Sequence, residues 1–136
     1  MSRIESILVP VDFGRPSEHA LAFAVDLAAQ LGASVHVITT YQLPIASFPD
    51  GVLVASAEIV SRLIEASQLG LDRICAPYKD GKVPLTSHLE QGDPRETIIA
   101  LARDRKFSLI VMGTHGRKGI SRALMGSTTE AVIRAS

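Results

Sequence analysis

Four short apolar runs, each followed by a segment with helical spacing, restrict this chain's folding options more than any other feature. They are Ile7-Leu8-Val9-Pro10-Val11, Val35 to Thr40, Val83 to Leu89, and Leu109 to Met112. The first and last are continuously apolar, as in strands buried on both faces. The third alternates in polarity and reads as a weaker strand. After the first strand, Arg15-Pro16-Ser17 opens a helix with Leu21, Ala24, Val25, Ala28 and Leu31 along one face. Gly32 is its expected stop. Ile59, Leu63, Ala66, Gly70 and Ile74 mark a second helix. Glycine inside a helix costs about 1 kcal/mol relative to alanine, so Gly70 implies close packing there. Asp93-Pro94-Arg95-Glu96 starts a third helix: Asp93 caps, Pro94 suits the first helical position, and Ile98, Leu101 and Ala102 give the apolar face. Ser127-x-x-Glu130 is the capping box of a fourth. The order β-α-β-α-β-α-β-α calls for an α/β fold, an open parallel sheet with helices on both faces. Two details are expected to stand out. Pro10 cannot donate to a ladder, so its strand should leave a neighbour at that end. Residues 41–52 are too long for an ordinary connection.

Composition agrees with one globular domain spanning residues 1–136. The chain is 46% hydrophobic and 21% charged, which excludes disorder. Aromatics are 4% and tryptophan is absent, so Ala, Val, Ile and Leu must fill the core. A net charge of +0 argues against bulk attraction to nucleic acid or to a membrane surface. The single cysteine, Cys75, excludes an intrachain disulfide and a cysteine metal cluster, and suits a reducing cytoplasm. No apolar run approaches the roughly 18 residues of a membrane span. The amino terminus lacks a signal-peptide pattern, because its apolar run is broken by Pro10 and Asp12.

Chemistry concentrates after the fourth strand. Gly113-Thr114-His115-Gly116 is followed, after nine intervening residues, by Gly126-Ser127, where the last helix is expected to open. A strand, a glycine-bearing loop and a helix N-terminus are the parts that hold a phosphate. Between Thr114 and Thr129 there is no acidic residue, but there are Arg117, Lys118 and Arg122. Ligands of open parallel sheets bind beyond the carboxyl ends of the strands, where the strand order reverses. Asp12, Thr40 and Gly113 all stand at such ends. The bland reading is that glycines after strands only make turns and that Ser127 only caps its helix. The basic loop and the second glycine pair favour the phosphate reading. His19, His36, His88 and His115 are scattered without metal-ligand spacing. His36 reads as a packed or edge histidine, Cys75 as a helix residue without redox function. No P-loop, no Gly-x-Gly-x-x-Gly, no Gly-x-Ser-x-Gly and no His-Glu-x-x-His is present.

Gly113-x-x-Gly116-(nine)-Gly126-Ser127 resembles the nucleotide-binding signature of the universal stress protein family. Ile7 to Asp12 resembles that family's first strand, Glu90-x-Gly92-x-Pro94 the segment before its third helix, and Val111 to Gly116 its fourth strand and following turn. The resemblance implies a parallel sheet of order 3-2-1-4-5 with an adenine nucleotide between the ends of strands one and four. It implies that Pro10, Val11 and Asp12 bound the adenosine end and that the Thr40 backbone meets the adenine edge. Met112 and Gly113 would line the ribose and inner phosphate. His115, Gly116, Gly126, Ser127 and Thr128 would surround the phosphates, with Arg117 in the loop between them. The implied cofactor is ATP, or ADP or AMP, with Mg²⁺. The implied role is a cytoplasmic stress-response regulator, homodimeric through its fifth strands. Residues after Ser127 read as helix, so the sheet is expected to stop at order 3-2-1-4, without that fifth strand and with an uncovered apolar edge at Leu109 to Met112. Two other functions are open. A slow ATP hydrolase or a phosphoryl- or adenylyl-transfer enzyme would need a general base, and only Asp12 lies near the loop. A nucleotide-free interaction module would leave the glycine signature without purpose.

Overall fold

The computed structural model describes residues 4–105, 107–113 and 132–135. Its elements run β1 (Ser6–Pro10), α1 (Arg15–Leu31), β2 (Ser34–Tyr41), β3 (Ile45–Phe48), β4 (Gly51–Val54), α2 (Ala57–Cys75), a short 3₁₀ turn (Ala76–Tyr78), β5 (Leu85–Gln91), α3 (Pro94–Arg105), β6 (Leu109–Gly113) and β7 (Val132–Ala135). The main sheet has the order β5-β2-β1-β6-β7, and every neighbouring pair in it is parallel. Counted along the chain, its first four strands lie 3-2-1-4, as the alternation of runs and helices requires.

Alternation along each strand divides the core between two faces. Ile7, Val9, Val35, Val37, Leu109 and Val111 point to the face covered by α1 and α2, where Ala20, Leu21, Ala24, Ala28 and Leu71 meet them. Leu8, Ile38, Ile110 and Met112 point the other way, to Ile98 and Ala102 of α3 and to Phe107. Helix α1 presents alanine at most of its buried positions, so its backbone can lie close to the sheet. It ends where Gly32 takes a left-handed conformation (φ 70°). Leu31, placed by its spacing on the apolar face, is exposed instead. It falls in the last turn, beside that stop. The α3 cap is as expected: the Glu96 N–H donates to Asp93 Oδ2 at 3.1 Å and the Thr97 N–H to the Asp93 carbonyl at 2.9 Å.

The structure corrects one expectation and explains another. Residues 132–135, read as helix, form β7, a fifth strand in parallel register with β6 (Ile110↔Val132 to Gly113↔Ala135). The outer edge of β6 is therefore paired, and no uncovered edge invites association there. The physical reason lies in Val132 and Ile133, β-branched residues suited to a pleated strand. The explanation concerns residues 41–52, too long for an ordinary connection. Ile45–Phe48 and Gly51–Val54 form an antiparallel hairpin, with Phe48 opposite Gly51 across Pro49-Asp50. All eight strand residues are exposed, including Ile45, Phe48, Val52, Leu53 and Val54. Gly51 has φ 146°, which only glycine adopts without strain. The opening of the fourth helix at Ser127 lies outside the described residues.

Two histidines, one early in β2 and one in the middle of β5, meet on the α3 face. His36 and His88 stack with ring centroids 5.4 Å apart, and the edge of Phe107 packs against His36. Both imidazoles are half-buried and both titrate below the ordinary value. For His36 burial is the main cause, followed by the charges of His88 and Arg105. For His88 burial again leads, then Arg105, with Glu90 opposing. The folded state therefore resists protonation more than the unfolded chain, whose histidines titrate near 6.5. The resulting stabilisation is present above about pH 6.5 and is lost progressively below it. Denaturant midpoints in EDTA are expected to fall between pH 7 and pH 5, and to fall less in His88→Gln. Equal pH profiles for the two proteins would contradict the coupling.

Candidate functional site

The strand order reverses between β1 and β6, and there the sheet opens. Ladder pairing of β1 with β6 covers only Ile7↔Leu109 and Leu8↔Ile110, whereas pairing of β1 with β2 continues to Pro10↔Ile38. The Val11 N–H donates to the Ile38 carbonyl at 2.9 Å, so Val11 turns toward β2 and Pro10 toward β6. Pro10 has no N–H to offer on that side. Its strand leaves a neighbour there, as the sequence requires, and the neighbour is β6.

The gap forms a cavity of about 220 Å³. Pro10 and Asp12 line it from β1 and the turn after it, Thr39 and Thr40 from β2, and Met112 and Gly113 from β6. The amino ends of two helices close on it, through Pro16 and Ser17 of α1 and through Pro94 of α3. Both helix dipoles thus present their positive ends to this space, the polarity that suits an anion. Beyond Thr40 and Pro94, which border both, lies a wider groove of about 960 Å³ between α2 and α3, reaching Leu63, Ser67, Arg95 and Glu96.

The turn between β1 and α1 is tightly built. Asp12 Oδ1 accepts from the Gly14 N–H at 3.0 Å and from the Ser17 hydroxyl at 2.8 Å, and Ser17 Oγ accepts from the Asp12 N–H at 2.9 Å. Ser17 is buried, so this reciprocal pair holds the Asp12 carboxylate and the first turn of α1 as one unit. Phe13, between them, has φ 69°, a left-handed conformation that a bulky residue rarely takes. Its ring lies against α2 at Gly70, where a Cβ would sit 2.9 Å from the ring. That contact is the close packing that a glycine inside α2 implies. Thr39 donates from Oγ1 to the Val11 carbonyl at 3.1 Å, tying β2 to the same turn.

Of the residues singled out by sequence, Pro10, Asp12, Thr40, Met112 and Gly113 come together at the cavity. Val11 is buried behind it, in the core facing α1. His115, Gly116, Arg117, Gly126, Ser127 and Thr128 lie outside the described residues. Gly113 carries a second role. A Cβ on it would lie 2.6 Å from Pro16 Cβ and 2.8 Å from the Pro16 carbonyl carbon and oxygen. Its missing side chain lets α1 start against β6, whatever approaches from the cavity. Ser17, Phe13, Pro94 and Ile98 also line the cavity and were not picked out by sequence. For Ser17 a signal was available: Asp12 and Ser17 flank a Gly-x-Pro helix start, the setting in which short polar side chains cap. Among the described residues no group of three or more His, Cys, Asp or Glu side chains could hold a metal ion. Burial pushes the Cys75 thiol up to about 11, with Asp72 adding to it, so it is an inert thiol at neutral pH.

An open parallel sheet with a cavity at its switch point is a doubly wound α/β architecture, in which ligands bind beyond the carboxyl ends of the strands. The model of the universal stress protein family matches residues 3–136, and this chain belongs to that family. Universal stress protein MJ0531 of Methanocaldococcus jannaschii is 30% identical over 131 residues, covering 96% of this chain and 76% of that protein. A crystal structure of a universal stress protein family member from Burkholderia pseudomallei superposes with a TM-score of 0.75 at 24% identity, covering 96% of this chain and 95% of that one. A universal stress protein solved in complex with cAMP is 25% identical, with a TM-score of 0.58 and 98% of each chain covered. Among the described residues no helix is long and apolar enough to cross a membrane.

Proposed function

We propose that this chain binds an adenine nucleotide at the opening between β1 and β6 and acts as a nucleotide-sensing regulator, not as a fast enzyme. The observation that carries this is the convergence of Pro10, Asp12, Thr40, Met112 and Gly113 on one cavity faced by two helix amino ends. The relative solved with cAMP supports the same ligand class. In this reading the ribose would lie beside Met112 and Gly113, which line the opening. Thr40 borders both spaces, so an adenine edge meeting its backbone would extend toward the wider groove. Asp12 Oδ1 is engaged by Gly14 and Ser17, which leaves Oδ2 to accept from a ligand hydroxyl or amino group. The phosphates of ATP, ADP or AMP, with Mg²⁺, would then pass toward His115, Gly116, Arg117, Gly126, Ser127 and Thr128. A cytoplasmic location and a homodimer formed through the outer strand belong to this same reading.

Among the described residues that line the cavity Asp12 is the only carboxylate, and its Oδ1 is already committed to its own turn. A positioned base typically contributes 10²–10⁴-fold, so turnover is expected to be slow. The test has two parts. Mass analysis of nucleotide released on denaturing the purified protein should find an adenine nucleotide. Calorimetry should then show ATP or AMP binding that Asp12→Ala and Gly126→Val each weaken at least tenfold, about 1.4 kcal/mol. Absence of bound nucleotide, together with no measurable binding, would sink the proposal. An ATPase rate of about 1 per second or more, lost in Asp12→Ala, would favour the enzyme reading.

A further inference from the structure

The His36–His88 pair shares no residue with the lining of the nucleotide cavity, and the proposed function makes no use of it. His36 Nδ1 and His88 Nε2 are 3.2 Å apart, across the β2–β5 pairing and 52 residues apart in sequence. Ser34 Oγ lies 3.3 Å from His36 Nε2 and donates to the Glu5 carbonyl at 3.3 Å. With its proton given to Glu5, the Ser34 oxygen can only accept from His36 Nε2–H. His36 is thereby held as the Nε2–H tautomer, with the Nδ1 lone pair turned to His88. A single hydrogen, on His88 Nε2, then bridges the two rings.

We propose that this pair is a binding site for a first-row transition ion of the kind imidazole favours, such as Zn²⁺, Ni²⁺ or Cu²⁺, chelated by His36 Nδ1 and His88 Nε2. The spacing fits. With metal–nitrogen bonds of about 2.0–2.1 Å, nitrogens this far apart subtend an angle of about 100° at the metal, close to tetrahedral. The Nε2–H···Oγ contact to Ser34 is the kind of outer-shell hydrogen bond that metal-bound histidines use; with ring centroids 5.4 Å apart the two nitrogens face each other nearly head-on, so each ring turns to aim its lone pair at the ion. Binding needs no net proton loss. The hydrogen on His88 Nε2 moves to its Nδ1, and the ion binds beside the line joining the two nitrogens, exchanging water ligands for two neutral nitrogens. Both imidazoles titrate below the ordinary value, so protons compete little at pH 7. The two rings are half-buried, and β5 is the edge strand of the sheet, so solvent can complete the coordination. Glu90, two residues along β5, adds negative charge against the opposing Arg105. Two protein ligands leave the coordination open, which suits reversible capture of an ion and not a closed structural metal site.

The experiment uses the full chain, freed of nucleotide and metal. Calorimetry with ZnCl₂ and with NiCl₂ should show one equivalent bound per chain. His88→Gln should weaken it more than tenfold and His19→Gln should leave it unchanged. Because a histidine variant can perturb folding, a second readout uses the wild type: ¹⁵N ring spectra should show the His88 proton moving from Nε2 to Nδ1 on addition of Zn²⁺. Retained affinity in folded His88→Gln, no binding at 1 mM metal, or unchanged ring tautomers at saturation would each overturn the site. None of these outcomes bears on nucleotide binding, which is read separately.

Discussion

Replacing Gly113 by alanine or valine is expected to cost about 2–3 kcal/mol of stability, in the upper part of the range for overpacked sites. The first added carbon would lie 2.6 Å from Pro16 Cβ and 2.8 Å from the Pro16 backbone. Neither neighbour can step aside cheaply. The ring of Pro16 fixes its own φ, and the next residue, Ser17, is locked to Asp12 by two hydrogen bonds. Relief must come from moving the amino end of α1 away from β6. That motion carries Ser17 and the Asp12 turn with it, so nucleotide affinity should fall along with stability. Denaturant melts with an unchanged slope and a lowered midpoint would show the first effect, and the melting temperature should drop by roughly 6–12 °C. Gly113→Ala folding within 0.5 kcal/mol of wild type would mean that α1 slides freely, and Gly113 would then matter to the ligand alone.

The same glycine shows what could be read in the chain and what could not. A glycine directly after a buried strand was legible, and so was the reason to look there, since switch points follow from strand order. That its hydrogen atom meets a proline from a helix almost a hundred residues earlier was not legible. No local pattern reports which elements cross. Pro10 was the reverse case: its missing N–H announced that a strand must part from a neighbour, and only the sheet order was needed to identify β6. The hairpin at Ile45–Val54 was written in the sequence as Pro49-Asp50-Gly51 between two apolar runs, a turn signal with a mechanism. The length of the segment marked it as no ordinary connection, and the turn signal supplies the pairing within it. Strand β7 failed for another reason. Ser127-x-x-Glu130 looks like a helix start, and the four residues Val132–Ala135 are too few for periodicity to separate strand from helix. The histidine pair could not be found by spacing at all, because β2 and β5 bring its members together only through their register.

Leu8→Ala should produce the largest loss of stability among single core truncations on the α3 side, about 2–5 kcal/mol. Leu8 is 0% exposed and sits where β1 is paired on both sides, opposite His36 on β2 and Ile110 on β6. Its side chain belongs to the cluster of Ile38, Ile98, Ala102, Phe107, Ile110 and Met112, through which α3 holds to the sheet. The surrounding strands are fixed by their ladders, so the site cannot collapse around a cavity, and the cost should lie in the upper half of that range. Against a total of about 5–15 kcal/mol, this is a large fraction. Ile98 and Met112 belong both to this cluster and to the wall of the cavity. Loosening α3 should therefore weaken adenine nucleotide binding, even though Leu8 touches no ligand position. Leu53→Ala is the matched control: the same atoms are removed, but from a hairpin residue that is 65% exposed, and the change should stay within about 0.5 kcal/mol. Urea titrations of the two variants, read by circular dichroism, decide the point. Comparable losses at Leu8 and Leu53 would mean that the hairpin is covered in solution, and that its apolar strands are part of an interface rather than free surface.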